Sequence, residues 1–148
     1  MRILLISDSH NKLVDEDFSE FDCVIHCGDY GKSLPILEEN KVHYVIGNCD
    51  DYGPKELLLD LFGRKVFITH GHYYDVKEGY DRVMYRALEL GASVCLFGHT
   101  HIPIWKPSED LLTMNPGAYM DDFRIIIEDD YIYYYFMEKN YKKFEFKW

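Results

Sequence analysis

The chain has 148 residues, of which 47% are hydrophobic and 28% charged, and its formal net charge is −10 at pH 7. A chain of this length can bury a sizeable core, and we expect one domain over residues 1–148. The negative charge argues against binding of a long nucleic acid through its phosphates, because such binding needs clustered lysines and arginines. It does not exclude a small phosphate ester, since bound metal ions can set the local charge of a site.

No apolar stretch approaches the roughly 20 residues that cross a bilayer, so we expect no membrane association. The apolar run before Ser7 is too short for the apolar region of a signal peptide, which makes a cytoplasmic protein the default expectation. In that compartment we expect reduced thiols at Cys23, Cys27, Cys49 and Cys95. The spacing of Cys23 and Cys27 lies inside a predicted strand rather than on a zinc knuckle, so no structural zinc site is expected there.

Short apolar runs alternate with segments of helical spacing along the first two thirds of the chain. In chain order we predict strand 3–6, a helix of at most two turns within 11–21, strand 23–26, helix 32–40, strands 42–46 and 65–69, helix 76–90 and strand 94–97. Pro35 is placed near the first turn of its helix, and Gly91 supplies the end of the last one. Continuous apolar strands are typical of a sheet that is covered by helices.

The pattern changes after Gly117, where aromatic and β-branched residues alternate and cluster. We predict antiparallel strands there, with turns at 128–130 and 138–140. The tyrosine-rich segment invites comparison with a base-stacking surface, but sheet faces in a core or an oligomer contact are the favoured interpretation. With Trp105, these strands are candidates for a contact that forms a homo-oligomer, either a dimer or a tetramer.

Polar residues with metal-binding side chains follow each of the five predicted strands. They are Asp8 and His10, then Asp29, then Asn48 and Asp50, then the pair His70 and His72, and finally the pair His99 and His101. In open α/β sheets, ligands bind beyond the carboxyl ends of the strands, and glycines beside these residues allow a close backbone approach. Singly, each histidine is better explained as a core or surface residue, and each aspartate as a cap or turn former. Their joint occurrence at five strand ends favours a metal site.

The donor types narrow the choice of metal. Carboxylate, imidazole and amide oxygen suit Mn²⁺, Fe²⁺, Ni²⁺ or Zn²⁺. The supply of donors exceeds what one ion needs, whereas two ions about 3.5–4 Å apart, bridged by one carboxylate, would use them all.

Six motifs in this series carry a family resemblance. They are ISDSHN, IHCGDY, VIGNCD, ITHGHYYDVKEG, FGHTHIP and MNPGA. Together they resemble the calcineurin-like metallophosphoesterases, and within them the small bacterial and archaeal phosphodiesterases, to which the eukaryotic retromer subunit of the same fold is related. The resemblance spans residue 3 to about residue 118. It implies an α/β fold, a four-layer α/β/β/α sandwich of two mixed β-sheets, with a dinuclear site at one edge.

The resemblance also implies a set of ligands. One metal would lie on Asp8, His10, Asp29 and His101, and the other on Asp29, Asn48, His70 and His99, with Asp29 as the bridge. Mn²⁺ is the expected ion, with Ni²⁺, Fe²⁺ and Zn²⁺ as alternatives. His72 matches a residue that lies beside the site in relatives, and we take it as a substrate contact together with Asn48 and Cys49.

One position departs from the broad family, which carries a histidine as proton donor where this chain has Cys49. A thiol, with an ordinary pKa near ~8.5, is a poor replacement in that role. The alternatives are that Asp50 orients another group, that a metal-bound water supplies the proton, or that the enzyme prefers esters with good leaving groups. We therefore take Asp50, His72 and Asn48 as the catalytic candidates, and we expect Asp50 and Asn115 to support the ligands through hydrogen bonds. A second departure from the family is the short segment between residues 10 and 22, which leaves little protein to enclose the predicted site on the side of that segment.

The resulting hypothesis is hydrolysis of a small phosphodiester by a hydroxide that bridges two metal ions. The first alternative is a non-catalytic, metal-binding scaffold of the same fold. The second is a phosphomonoesterase or a nuclease acting on DNA ends. An oxidoreductase using the metals for O₂ chemistry is disfavoured, because the open facial triad expected there is missing.

Overall fold

The computed structural model of the chain describes residues 1–136 and 140–148. Its strands are β1 (Arg2–Ile6), β2 (Cys23–His26), β3 (His43–Tyr44), β4 (Glu56–Leu61), β5 (Arg64–Thr69), β6 (Val94–Leu96), β7 (Ile104–Pro107), β8 (Leu112–Asn115), β9 (Arg124–Glu128), β10 (Tyr131–Phe136) and β11 (Asn140–Glu145). The α-helices are α1 (Leu34–Glu39) and α2 (Asp81–Glu89), and short 3-10 turns lie at Phe18–Glu20, Gly31–Ser33, His72–Tyr74 and Tyr119–Asp121. No helix in these described ranges is long and apolar enough to cross a membrane.

The strands form two mixed sheets. The first has the order β11-β10-β9-β1-β2-β3 and the second the order β4-β5-β6-β8-β7. Strands β1, β2 and β3 are parallel, as are β5, β6 and β8. The other neighbours pair antiparallel: β9 with β1, β10 with β9, β11 with β10, β4 with β5 and β7 with β8. The carboxyl ends of each parallel set therefore meet at one edge of their sheet, where the predicted polar residues follow.

The two sheets pack face to face, and each outer face carries one helix. Alternation along β1 shows the layering: Ile3 and Leu5 lie in the core between the sheets, and Leu4 packs with Leu37 of α1 on the outer face. On the far side of the second sheet, Phe67 packs against Val83 and other residues of α2. The four-layer α/β/β/α prediction is thereby confirmed, with a thin helical layer on either side.

The predicted strands 3–6, 23–26, 65–69 and 94–97 agree with β1, β2, β5 and β6 to within about a residue. Strand 42–46 is shorter than predicted, because only His43–Tyr44 pairs with β2. The C-terminal antiparallel strands and the turn at 128–130 are confirmed. Residues 138 and 139 of the predicted turn 138–140 lie outside the described residues.

Two helix predictions are wrong in extent. Within 11–21 only the 3-10 turn Phe18–Glu20 forms, capped by the Asp17 side chain. Helix 76–90 begins only at Asp81, because Gly79 has a φ of +150° that an α-helix cannot contain. Strands β4, β7 and β8 were not predicted, and β4 pairs with β5 along its whole length.

Candidate metal centre

Loops from both sheets bring the predicted donors together. Ring nitrogens and carboxylate oxygens of Asp8, His10 and His101 lie within 4.8 Å of one another, and the same holds for Asp29, His70 and His99. Asn48 joins the second group, because its Oδ1 lies 3.0 Å from His70 Nε2. The structure thus gathers all seven predicted donors into two adjacent groups.

Asp8 follows β1 and presents one oxygen to the first group. Its fully buried side chain accepts hydrogen bonds at Oδ2 from the Ser7 hydroxyl (2.5 Å) and the His99 backbone N–H (3.1 Å). The other oxygen, Oδ1, is buried and has no hydrogen-bond partner among the described residues. It lies 3.2 Å from His101 Nε2 and 3.6 Å from His10 Nε2.

Asp29 follows β2 and lies between the two groups. Its Oδ2 is 3.2 Å from His70 Nε2 and 3.7 Å from His10 Nε2, so this carboxylate faces both sets of donors. Its Oδ1 accepts a hydrogen bond of 2.8 Å from the Cys49 backbone N–H. Burial raises the pKa of Asp29, but hydrogen bonding to His70 and the charges of His70 and His10 outweigh it and lower the pKa to about 2.

The tautomer of His70 is fixed by its surroundings. Its Nδ1 lies 2.7 Å from the Cys27 carbonyl oxygen, which can only accept, so Nδ1 carries a hydrogen. Nε2 then faces Asp29, Asn48 and the Nδ1 of His99, which is 3.2 Å away. Burial lowers the pKa of His70, but the hydrogen bond and charge of Asp29 raise it above its ordinary value overall. The pKa of His99 falls to about 4 because of burial and the neighbouring His70.

These contacts fit divalent cations. A buried carboxylate oxygen without a partner is costly, and a cation at that point would compensate it. His70 holds its Nδ1 hydrogen on a carbonyl and directs Nε2 toward the other donors, which is how metal-binding histidines are usually oriented. Carboxylates, imidazoles and one amide oxygen form a donor set suited to borderline-to-hard divalent metals.

Backbone conformation at this edge is unusual. Among the described residues, ten non-glycine residues have positive φ, and five of them are predicted ligands: Asp8, His10, Asp29, His99 and His101. Such conformations cost free energy and persist only when the surrounding structure imposes them, so their concentration here points to function.

Two glycines are required by close packing around the carboxylates. A Cβ on Gly98 would clash with Ser7 Oγ and lie 2.6 Å from Asp8 Oδ2. A Cβ on Gly47 would clash with Asp29 Oδ1 and lie 2.7 Å from its carboxyl carbon. Glycine therefore lets these loops approach the two buried aspartates.

Asp50 and Asn115 hold the ligand loops, as expected for supporting residues. Asp50 Oδ2 accepts hydrogen bonds from the backbone N–H groups of Asp29 (2.7 Å) and Gly47 (2.8 Å), and so joins two of the loops. Asn115 donates to the Gly98 carbonyl (2.9 Å) and to Thr100 Oγ1 (3.1 Å), which fixes the loop that carries His99 and His101.

Two buried residues of this edge were missed by the sequence analysis. His26 lies at the end of β2, accepts at Nδ1 from the Gly28 N–H (3.1 Å) and contacts Ser9 Oγ through Nε2 (2.9 Å). Complete burial and the neighbouring His70 lower its pKa to about 3. Ser7, which orients Asp8, was missed as well. The only sequence signal for either residue was its position at a strand end.

The predicted substrate contacts lie beside the two groups. The ring centroid of His72 is 5.4 Å from that of His70 and 6.0 Å from that of His99, and its Nδ1 has no hydrogen-bond partner among the described residues. Cys49 is exposed, and its Sγ lies within 4.8 Å of donor atoms of His10 and Asp29. Cys49 and Asp50 also line a cavity of about 240 Å³ next to the centre.

Comparison with known proteins gives three similarities. The profile of the calcineurin-like phosphoesterase superfamily domain matches residues 1–126. A protein of Bacillus subtilis (strain 168) named a probable metallophosphoesterase is 41% identical over 128 residues, covering 80% of this chain and 75% of that protein. A phosphodiesterase of Methanocaldococcus jannaschii is 31% identical over 145 residues, covering 79% of this chain and 83% of the relative.

A solved structure is similar as well. Vps29 from Entamoeba histolytica, complexed with Zn²⁺, matches with a TM-score of 0.77 over 97% of both chains. The sequence identity is 19%, so this similarity concerns the fold alone.

Proposed function

Since the chain belongs to the calcineurin-like phosphoesterase superfamily, we propose that it hydrolyses a small phosphodiester with the help of two divalent metal ions. One ion would be held by Asp8, His10, Asp29 and His101, and the other by Asp29, Asn48, His70 and His99. The observation that carries the proposal is that donor groups face Asp29 from either side. Next to them lies Asp8 Oδ1, a buried oxygen with no hydrogen-bond partner in the part of the chain that the structure describes. We propose Mn²⁺ as the ion.

When bound, two such ions supply Lewis acidity and a water activated for attack on phosphorus. The chain provides two carboxylates to the pair of ions, which leaves the centre near a charge of about +2. That local charge draws a phosphate ester into a protein whose formal net charge is −10. Asn48 and the histidines complete the ligand sets without adding negative charge.

The remaining side chains of the edge act on the substrate or on the ligands. His72 is proposed as a substrate contact because its ring lies beside those of His70 and His99. Asp50 keeps the loops of Asp29 and Gly47 in register through its two hydrogen bonds, so it is a positioning residue. Cys49 faces the open side of the centre, where the leaving group would depart. Because a thiol is a weak hydrogen-bond donor, we expect esters with good leaving groups to react best.

A diester is favoured over a monoester by the relative named a phosphodiesterase. The negative net charge disfavours a nuclease for long duplexes, and the presence of all seven donors disfavours a scaffold without catalysis.

The proposal is tested by adding Mn²⁺, Ni²⁺, Mg²⁺ or Zn²⁺ to metal-stripped protein and measuring hydrolysis of bis-p-nitrophenyl phosphate, p-nitrophenyl phosphate and cyclic nucleotides. We expect two Mn²⁺ per chain and turnover of diesters. Asp29→Asn and His99→Ala should lose bound metal and turnover together, whereas Asp60→Asn, an exposed residue of β4, should not. Full metal content and full turnover in Asp29→Asn would contradict the bridging role, and two bound ions without hydrolysis of any ester would favour the scaffold.

A further inference from the structure

A cleft of about 390 Å³ opens between the two sheets, and the reaction proposed above does not use it. Five of the residues that line it are aromatic: Trp105, Phe123, Tyr134, Phe136 and Phe144. They come from β7 on one side and from β10, β11 and the residue preceding β9 on the other. We call this feature the aromatic cleft.

One end of the aromatic cleft lies at the edge that carries the metal centre. Pro103 lines the cleft and follows His101 by two residues, so their Cα atoms are at most about 7 Å apart. Phe123 lies just before β9. Ile125 of β9 pairs with Leu5 of β1, and Leu5 lies three residues before Asp8 in the chain, so Phe123 is near the same edge. Phe136 ends β10 beside Phe123, with ring centroids 6.5 Å apart. This end of the cleft therefore lies near the loop that carries His101, and the cleft extends from there between β7 and the strands β10 and β11.

The walls of the cleft are held in place by their own contacts. The rings of Trp105 and Phe144 are stacked at 4.8 Å with an interplanar angle of 16°, and this pair connects β7 of one sheet to β11 of the other. Tyr134 packs edge-on against both rings and donates its hydroxyl hydrogen to the Ile104 carbonyl. A cavity of this size with fixed aromatic walls is typical of sites for small ligands.

The charge of the cleft is opposite to that of the whole chain. Lys142 is the one charged residue among the described residues that line it, in a chain of net charge −10. A ligand with an aromatic ring and a negative group would place its ring between the aromatic walls and its charge near Lys142 or the metal centre.

We propose that the aromatic cleft binds the aromatic group of the phosphoester substrate, a nucleobase or an aryl ring. This inference rests on the proposed function and narrows its substrate class to diesters that carry such a ring. A second copy of the chain is a poorer occupant, because the cleft is lined by seven residues whereas a stable interface takes about 20–30 residues from each partner.

Binding is measured by quenching of Trp105 fluorescence in the Mn²⁺-loaded protein, in a Trp148→Phe background that removes the other tryptophan. Adenosine monophosphate and phenyl phosphate are compared with glycerol phosphate. We expect both aromatic phosphates to quench and to bind more tightly than glycerol phosphate. Preference for adenosine monophosphate identifies a nucleobase and preference for phenyl phosphate a simple aryl ring. Equal affinity for all three would overturn the inference.

Phe123→Ala should weaken binding of adenosine monophosphate by about 5- to 100-fold, the range for loss of one stacking ring, and raise the KM for an aryl diester. Tyr85→Ala, which removes an exposed ring on α2, is the matched control and should change neither. If Phe123→Ala is poorly folded, Lys142→Ala tests the exposed cation instead, and should weaken adenosine monophosphate more than adenosine. Unchanged binding in the folded variants overturns the inference.

The outcomes separate this inference from the proposed function. Ring-specific quenching without hydrolysis of any ester would contradict the enzymatic proposal and support the cleft as a binding site. Metal-dependent hydrolysis with equal KM for aryl and alkyl diesters, unchanged in Phe123→Ala, would support the enzyme and overturn the aromatic subsite.

Discussion

At the scale of single residues, the two oxygens of each carboxylate in the centre have different roles: one accepts hydrogen bonds and the other faces the histidines. Asp8 uses Oδ2 for two hydrogen bonds and leaves Oδ1 toward the histidines, while Asp29 uses Oδ1 for the Cys49 N–H and leaves Oδ2 toward His70. Hydrogen bonds to other protein groups therefore orient each of the two carboxylates. Such preorganisation limits the entropy lost on binding.

Gly98→Ala should disrupt this arrangement, because its Cβ would clash with Ser7 Oγ and crowd Asp8 Oδ2. We expect Mn²⁺ affinity to fall at least about 10-fold, as for loss of groups that orient metal ligands. Calorimetric titration of stripped protein measures the change.

Gly63→Ala is the control for that variant. Gly63 has a φ of +84°, and among the described residues no atom beyond Gly63 and its chain neighbours lies within 4 Å of the point where a Cβ would stand. Alanine there adds strain of about 1–2 kcal/mol without touching the centre. Equal losses of metal affinity in both variants would count against the steric explanation for Gly98.

Cys49→His restores the imidazole that the broader family carries at this position. Because general-acid catalysis contributes roughly 10²- to 10⁴-fold, we expect faster turnover mainly for diesters with poor leaving groups, by up to about 100-fold. The rates for alkyl and p-nitrophenyl leaving groups should thus converge. Cys49→Ser is the control and should leave their ratio unchanged, whereas a uniform gain in Cys49→His would argue against a role at the leaving group.

At the scale of elements, β8 supports the centre without supplying a ligand. Its last residue, Asn115, accepts from Gly117 N–H and donates to the loop of His99 and His101. Asn115→Ala would remove these three hydrogen bonds, each of which contributes about 0.5–1.5 kcal/mol to stability.

We therefore expect Asn115→Ala to lower the free energy of unfolding by about 2–3 kcal/mol in urea, and to weaken Mn²⁺ binding at the same time. Thr113→Val, a buried position of the same strand whose hydroxyl has no hydrogen-bond partner among the described residues, should leave metal affinity unchanged. If Asn115→Ala lost stability but retained full affinity, its role would be confined to the fold.

The predicted strands differ physically from the two edge strands that were missed. Strands β1, β2, β5 and β6 are continuous apolar runs because helices or the other sheet cover both faces. Strands β4 and β7 lie at sheet edges with exposed residues such as Leu58 and Lys106, so they lack that pattern. The predicted helix start at 76 was wrong because Val76 and Tyr80 pack into the core from the turn that precedes the helix.

More of the candidate site than of the surrounding fold could be predicted from the sequence. Its donors follow strand ends, and the topology of parallel strands brings those ends together. The hydrogen bonds of His26 and Asn115 could not be predicted in detail, since they join segments that meet only in the folded chain. The family resemblance is confirmed, whereas the role of each ligand remains a prediction.

At the scale of the whole molecule, bound ions should contribute to stability. An ion present at 100 times its Kd stabilises the folded state by about 2.7 kcal/mol, provided the unfolded chain does not bind it. Removing metal with a chelator should therefore lower the urea midpoint, and restoring Mn²⁺ should raise it again. Asp29→Asn should show a much smaller difference, and an identical midpoint with and without Mn²⁺ in the unmodified protein would contradict tight binding.

Under the proposed assignment, each of the two ions would take ligands from loops of both sheets. Asp8, His10, Asp29 and Asn48 follow strands of the first sheet, and His70, His99 and His101 follow strands of the second. Neither sheet alone would supply all the ligands of one ion. The rate of metal binding during refolding would therefore report when the two sheets pack against each other, whichever sheet forms first.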